Sequence, residues 1–197
     1  MNESEQPKDS PRQRKRRETF ARITETGLRL FLTDGYEATT LDAIAAAAGI
    51  SRRNFFYYFK SKEEILLAFQ SGSSDAFRDA LLKQSPRQRP LDAVHNALVK
   101  VVSRFASDEF LAIDRLMRST ETLRTRKSAV YERQEEALFS ALCELWHEPR
   151  RRAALRLVAM ASIGALRLAI EAWHADGGQR PIATYLNKSF AALKAEI

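Results

Sequence analysis

Between Thr39 and Phe59 the sequence reads TTLDAIAAAAGISRRNFFYYF. Arg52, Arg53, Asn54, Tyr57 and Tyr58 are crowded into one short stretch of it. A guanidinium forks onto guanine O6 and N7, an amide pairs with adenine, and a phenol donates to a phosphate. On a helix from Arg52 to Tyr58 these side chains point outward while Phe55 and Phe59 turn inward. Four consecutive aromatics, Phe55 to Tyr58, cannot all face the interior from one short helix. At least one ring must therefore show its edge to solvent or to a partner.

Such a helix needs a support. Leu41, Ile44, Ala45 and Ala48 fall at i, i+3, i+4 and i+7, which makes one apolar face of a preceding helix. Gly49 ends that helix because glycine enters the left-handed conformation without steric cost. Ile50 packs under the turn, and Thr40 and Ser51 stand where N-caps belong. Two short helices joined by a glycine-containing turn form a helix-turn-helix.

The 197 residues suffice for one large domain or a small one joined to a larger one. A charged fraction of 29% and a mean hydropathy of -0.37 fit a soluble globular chain. The net charge of +7 favours an anionic partner without identifying one. Cys143 is the single cysteine, so no internal disulfide can form. The polar N-terminus lacks the apolar core of a secretory signal. The most apolar stretch, Ala153 to Trp173, carries Arg156, Arg167 and Glu171, which are costly in a bilayer. It therefore reads as a buried or interface helix, and a cytoplasmic location with no membrane partner is expected.

Residues 1–11 read as a disordered tail. The basic run Arg12, Arg14, Lys15, Arg16 and Arg17 follows, either a solvated tail or extra charge at a helix start, or a segment that lies along phosphates or reaches into a minor groove. From Glu18 to Asp34, Phe20, Ile23, Gly27, Leu30 and Phe31 form a helical stripe that Gly35 ends, with Tyr36 plugging the gap that follows. Ser61 and Glu64 make an S-x-x-E capping box before a long helix. Downstream, Pro90, Pro149 and Pro181 open helices, and Gly177-Gly178 ends one. The expectation is an all-α chain of about nine helices: a DNA-binding domain over 12–62 with its motif at 40–59, a linker helix over 63–85, and a second domain over 86–197.

The stretch Leu28 to Leu66, LRLFLTDGYEATTLDAIAAAAGISRRNFFYYFKSKEEIL, resembles the tetracycline-repressor (TetR-like) family of bacterial transcription regulators. The ordered signals are a glycine, a Thr-Thr, Ala-Ala-x-Gly-Ile-Ser, an aromatic cluster and Lys-Ser-Lys-Glu. The resemblance implies contacts to double-stranded DNA from Thr40, Ser51, Arg52, Arg53, Asn54, Tyr57, Tyr58 and Lys62. Two positions depart from the family's habit. Arg53 stands where a glycine or small residue is frequent and adds a long cation. Phe56 stands where a tyrosine is frequent and removes a phenol. Lys62 at a helix start opposes the helix dipole, which favours a phosphate role for it.

The resemblance further implies a homodimer built on the last two helices, a small-molecule effector, and repression relieved by that effector. Ala159, Ala161, Ser162, Gly164 and Ala165 are small enough for close helix approach. The residues expected at the interface are Ala161, Gly164, Ala165, Leu168, Tyr185 and Phe190. Arg115, Arg118, Glu121, Trp146, Trp173 and His174 are the polar and aromatic candidates for an effector pocket. The effector is expected to be amphipathic, such as an acyl-CoA.

Two rival classes stand beside this. An architectural DNA binder without effector would use the same helix-turn-helix. An enzyme would need a catalytic set, yet His95, His147 and His174 are isolated, and H-E-x-x-H, C-x-x-C, P-loop and G-x-S-x-G patterns are missing. Cys143 sits inside an apolar helical pattern, as a small buried hydrophobe does. No catalytic residue, cofactor or metal is expected.

Overall fold

A computed structural model describes residues 10–104, 107–119 and 121–196, without the side chains of residues 70, 71, 73, 107–110, 121, 122 and 124–127. Nine α-helices and no strand occur among the described residues. They are α1 (Pro11–Thr33), α2 (Leu41–Ala47), α3 (Arg52–Tyr58), α4 (Lys62–Leu82), α5 (Pro90–Val102), α6 (Ser107–Ser119), α7 (Glu121–Leu145), α8 (Arg152–Ala175) and α9 (Ile182–Glu196). A 3-10 turn at Pro149–Arg151 leads into α8. The chain divides into two compact units, one ending at Phe69 and one beginning at Gln70, so the division falls inside α4.

α1 begins at Pro11, and the basic run is helical from its first residue. Ser10 is the N-cap: its hydroxyl accepts from the Gln13 amide at 3.3 Å while the Gln13 side chain accepts from the Ser10 amide at 2.9 Å. Proline at the first helical position gives up only an amide that has no helical partner. The buried face of α1 is Thr19, Ile23, Thr24, Gly27, Leu28 and Phe31. Two members of the expected stripe depart from it, since Phe20 is 39% exposed and Leu30 only half-buried.

The core of the N-terminal unit joins Ile23, Leu28, Phe31, Ile44, Phe55, Phe59, Ile65 and Leu66, all nearly inaccessible. Gly27 lets α1 approach the others. A Cβ there would lie 2.9 Å from Ile65 Cδ1 and 3.0 Å from Ile65 Cγ2. Tyr36 is buried as expected, with its ring edge-on to Phe31 at 5.0 Å and its hydroxyl donating to Glu63 Oε1 at 2.8 Å. The expected capping box at the start of α4 is offset: the Glu64 carboxylate accepts from the Lys60 amide at 2.7 Å, one residue before Ser61.

In the second unit, α8 is the central helix. Leu155, Ala159, Ile163, Leu166, Ala169, Ile170 and Trp173 pack with residues of α5, α7 and α9 into one core. The helical segment Pro149–Ala175 is long and apolar enough to cross a membrane by length and composition, but a full face of it is spent in this core. α5 and α9 are clasped by polar pairs, Lys194 to Asp92 at 2.7 Å and His95 to Asn187 at 2.8 Å, with His95 stacked on Phe190 at 4.4 Å.

Candidate nucleic-acid interface

The turn between α2 and α3 is built from local rules. Ala48 closes α2, Gly49 takes φ +67°, and its amide donates to the Ala46 carbonyl at 3.0 Å. The Ile50 amide reaches back to the Ala45 carbonyl at 3.0 Å, completing a Schellman motif. Thr40 and Ser51 are both N-caps, accepting from the amides of Ala43 and Asn54 at 3.1 Å each. Capping occupies an oxygen lone pair and leaves the hydroxyl proton at both sites able to donate outward.

α3 divides as its sequence requires. Phe55 and Phe59 are buried; Arg52, Arg53, Asn54, Phe56 and Tyr57 are exposed, Tyr57 at 63% and Phe56 at 44%, and Tyr58 is half-buried. The free edge thus presents two guanidiniums, one amide and one full phenol. Arg52 is partly engaged: its Nη1 lies 2.8 Å from Asp42 Oδ2, and its guanidinium carbon sits 5.8 Å from the Phe56 ring centroid. Both partners of that pair are largely exposed, so it stabilises little and can be exchanged for a phosphate. Tyr57 meets Tyr58 edge-on at 5.2 Å, and the Arg16 guanidinium of α1 lies over its ring at 5.6 Å. Arg16 and Asp42 were not among the expected site residues, because nothing in the sequence pairs either of them with α3.

Lys62, expected to contact DNA, has partners within the fold. Its ammonium donates to the Tyr36 carbonyl at 2.7 Å and lies 4.3 Å from the Tyr36 ring centroid, with Glu37 Oε2 at 3.9 Å. Only a fifth of its side chain is exposed. This cation ties the α1–α2 connection to the start of α4, which offsets its unfavourable place on the helix dipole.

The candidates for an effector pocket separate. Trp173 is fully buried and its indole donates to the Arg180 carbonyl at 2.9 Å; Trp146 donates to the Pro86 carbonyl at 3.1 Å. Each has spent its single donor on backbone and packs in the core of the second unit. Arg115 is exposed, and the Glu121 side chain lies outside the described residues. Arg118 and His174 do converge, on the buried carboxylate of Asp114: Arg118 Nε is 2.7 Å from Asp114 Oδ2 and His174 Nε2 is 3.9 Å from it. His174 Nε2 is buried and makes no hydrogen bond among the described residues. Tyr131 of α7 belongs to the same cluster. Burial first, then the Asp114 charge, pushes its hydroxyl pKa up to about 12. Asp114 and Tyr131 were missed because an acidic residue and a tyrosine on amphipathic helices carry no signal of their inward direction.

The expected interface residues separate as well. Phe190 is fully buried, Tyr185 is 8% exposed with its hydroxyl donating to Asp176, and Ala165 is buried. All three belong to the core of the second unit, and that burial corrects the expectation that they face another copy of the chain. Leu168 is 63% exposed, Ala161 and Gly164 are half-buried, and Leu157 and Met160 join them at 65% and 49% exposure. These five fall on one edge of α8 and form an apolar stripe.

Similarity to known proteins accords with the geometry. Residues 23–69 match bacterial regulatory proteins of the tetR family, and residues 88–197 match the MftR C-terminal domain. The chain belongs to the tetR family of bacterial regulators. It is 39% identical over 103 residues to the HTH-type transcriptional regulator TcmR of Streptomyces glaucescens, covering 52% of this chain and 46% of that protein. It is 28% identical over 81 residues to the negative transcriptional regulator IcaR of the biofilm operon icaADBC in Staphylococcus epidermidis, covering 41% and 44%. These alignments span less than half the length of either relative. Among solved structures, the TetR family transcriptional repressor FadR of Thermus thermophilus in complex with lauroyl-CoA is 24% identical, at TM-score 0.59, over 88% of this chain and 92% of that one. The regulator FadR of Bacillus subtilis in complex with stearoyl-CoA is 18% identical, at TM-score 0.62, over 90% and 99%. At these identities the likeness is one of fold.

Proposed function

We propose that the chain is a homodimeric, sequence-specific DNA-binding transcriptional repressor acting in the cytoplasm, released from its operator by a small amphipathic effector. The observation that carries this is the free edge of α3, where Arg53, Asn54 and Tyr57 project from a helix capped by Ser51 and braced by Thr40-capped α2. A helix of this size fits the major groove, with Arg53 reading guanine and Asn54 adenine. Thr40, Ser51, Arg52 and Tyr58 supply phosphate contacts around it.

The subunits pair through the exposed α8 stripe, Leu157, Met160, Ala161, Gly164 and Leu168, where the small residues let two helices approach closely. A two-fold axis then sets two copies of α3 about 34–36 Å apart, one turn of DNA. The effector binds within the second unit and favours a spacing that no longer fits successive grooves. The Asp114–Arg118–His174–Tyr131 cluster is the polar end of that site, and an acyl-CoA is the ligand class to test first, as two proteins of this fold are described with one.

Selection of bound duplexes from a random pool at physiological salt tests the DNA reading. Recovery of one palindromic motif supports it; a pool left unenriched by folded protein rejects it. Adding lauroyl-CoA to the complex tests the effector: release of the duplex supports the class, and undiminished binding at saturating ligand excludes it.

A further inference from the structure

The basic run that opens α1 precedes the stretch matched to the family, which begins at residue 23. Arg12, Arg14, Lys15, Arg16 and Arg17 occupy its first two turns and are all exposed. From Arg22 to Phe69, six Lys and Arg stand against six Asp and Glu, so the net positive charge of the described N-terminal unit resides in these turns.

The charges have a direction. Residues four apart share one edge of a helix, so Arg12, Arg16 and Phe20 form a ridge. The ridge is anchored at two points inside the N-terminal unit: the Phe20 ring stacks on Phe59 at 4.8 Å, and the Arg16 guanidinium lies 5.6 Å from the centroid of Tyr57. It therefore runs beside the C-terminal half of α3 and its most exposed ring, with Arg12 about one turn, ~5.4 Å, farther along. Arg14 has another use, an ion pair with Glu18 at 3.6 Å.

We infer that the first two turns of α1 are a second DNA-contacting element, in which Arg12 and Arg16 hold backbone phosphates beside the groove entered by α3. This rests on the DNA-binding reading of α3 and extends it to residues outside the helix-turn-helix. The Tyr57 ring attracts the Arg16 guanidinium, 5.6 Å from its centroid, and an arginine fork so placed suits the paired hydrogen bonds a phosphate accepts. Duplex DNA is the partner that fits, because the patch is strongly positive and continuous with the groove-reading surface. Its contribution is to affinity and salt dependence, with no base preference of its own.

The test compares the full chain with Arg12→Ala/Arg16→Ala on the selected duplex, by fluorescence anisotropy across a salt series. The slope of log affinity against log salt should flatten by about 0.9 for each phosphate that is no longer neutralised, with the selected motif and the melting temperature unchanged. Arg16→Lys, which keeps the charge, should hold the slope near that of the parent. An unchanged slope in the double variant overturns the inference while leaving the α3 reading intact. Loss of the motif itself also overturns it, since the arginines would then be acting on bases. Binding to phosphatidylglycerol vesicles that the double variant loses, with its duplex slope unchanged, assigns the patch to an anionic surface and overturns it too. If the parent chain recovers no motif, the underlying reading fails and this one with it.

Discussion

The ammonium of Lys62 donates to the main-chain carbonyl of Tyr36 at 2.7 Å and sits over the same residue's ring. A cation at the start of α4 thereby closes the connection between α1 and α2, twenty-six residues upstream. Lys62→Met keeps the aliphatic stem and leaves that carbonyl without its charged donor. The expected cost is about 1.5–3 kcal/mol of stability, read by urea denaturation, with the salt slope of DNA binding unchanged. A flattened slope at unaltered stability would instead make Lys62 a phosphate contact.

Gly27→Ala should destabilise the N-terminal unit although alanine favours helix. The new Cβ would meet Ile65 Cδ1 at 2.9 Å and Cγ2 at 3.0 Å. Overpacking of this kind costs about 1–3 kcal/mol, against a propensity gain of about 1 kcal/mol. Adding Ile65→Val removes the nearer methyl and should recover part of the loss. Thermal melts of the single and double variants decide it, and a melting temperature raised by Gly27→Ala alone would contradict the packing.

The α5–α9 clasp should weaken in acid. The His95 ring is neutral between an acceptor, Asn187 Oδ1 at 2.8 Å, and a donor, Lys194 Nζ at 3.4 Å. That arrangement assigns its proton to Nε2. Burial, together with the Lys194 charge, holds its pKa below the ordinary 6.5, the Asn187 hydrogen bond opposing. The unfolded chain then binds more protons just below pH 6.5, so stability is present above that pH and falls as pH drops through the window toward the folded value. Asp92 is also lowered, by its hydrogen bond to Lys194, and adds a loss of the same sign below pH 3.8. Melting temperature should fall as pH drops below 6.5, and His95→Gln should flatten that part of the profile.

Leu168→Glu should separate the subunits and leave each folded. Leu168 is 63% exposed on the α8 stripe, whereas Phe190 is fully buried in its own subunit. Sedimentation should therefore report folded monomers for Leu168→Glu, while circular dichroism should report reduced helicity for Phe190→Glu. A dimer unaffected by the Leu168 change would place the interface elsewhere.

What the sequence disclosed depended on how local each feature is. The α2–α3 turn was readable because Thr40, Gly49, Ser51 and the Ile44–Ala45–Ala48 face act within a few residues of one another. The start of α1 was missed although Ser10, Pro11 and Gln13 spell an N-cap, a first-turn proline and a reciprocal cap, because the arginines that follow read as a tail. The partners of Lys62 within the fold were not legible because they lie across it. Tyr185 and Phe190 were put at an interface because spacing identifies an apolar face but cannot say whether that face packs within the subunit or between two. The polar cluster at Asp114 was half-seen: residue type named Arg118 and His174, while only the packing of α6, α7 and α8 adds Asp114 and Tyr131.

If α3 reads DNA sequence through Arg53, duplex selection run in parallel on the parent chain and Arg53→Ala will show it. The parent should yield a palindromic motif and the variant the same motif relaxed at one position per half-site, with discrimination there reduced by about 1–3 kcal/mol. Identical motifs from both proteins, or none from a folded parent, would contradict it.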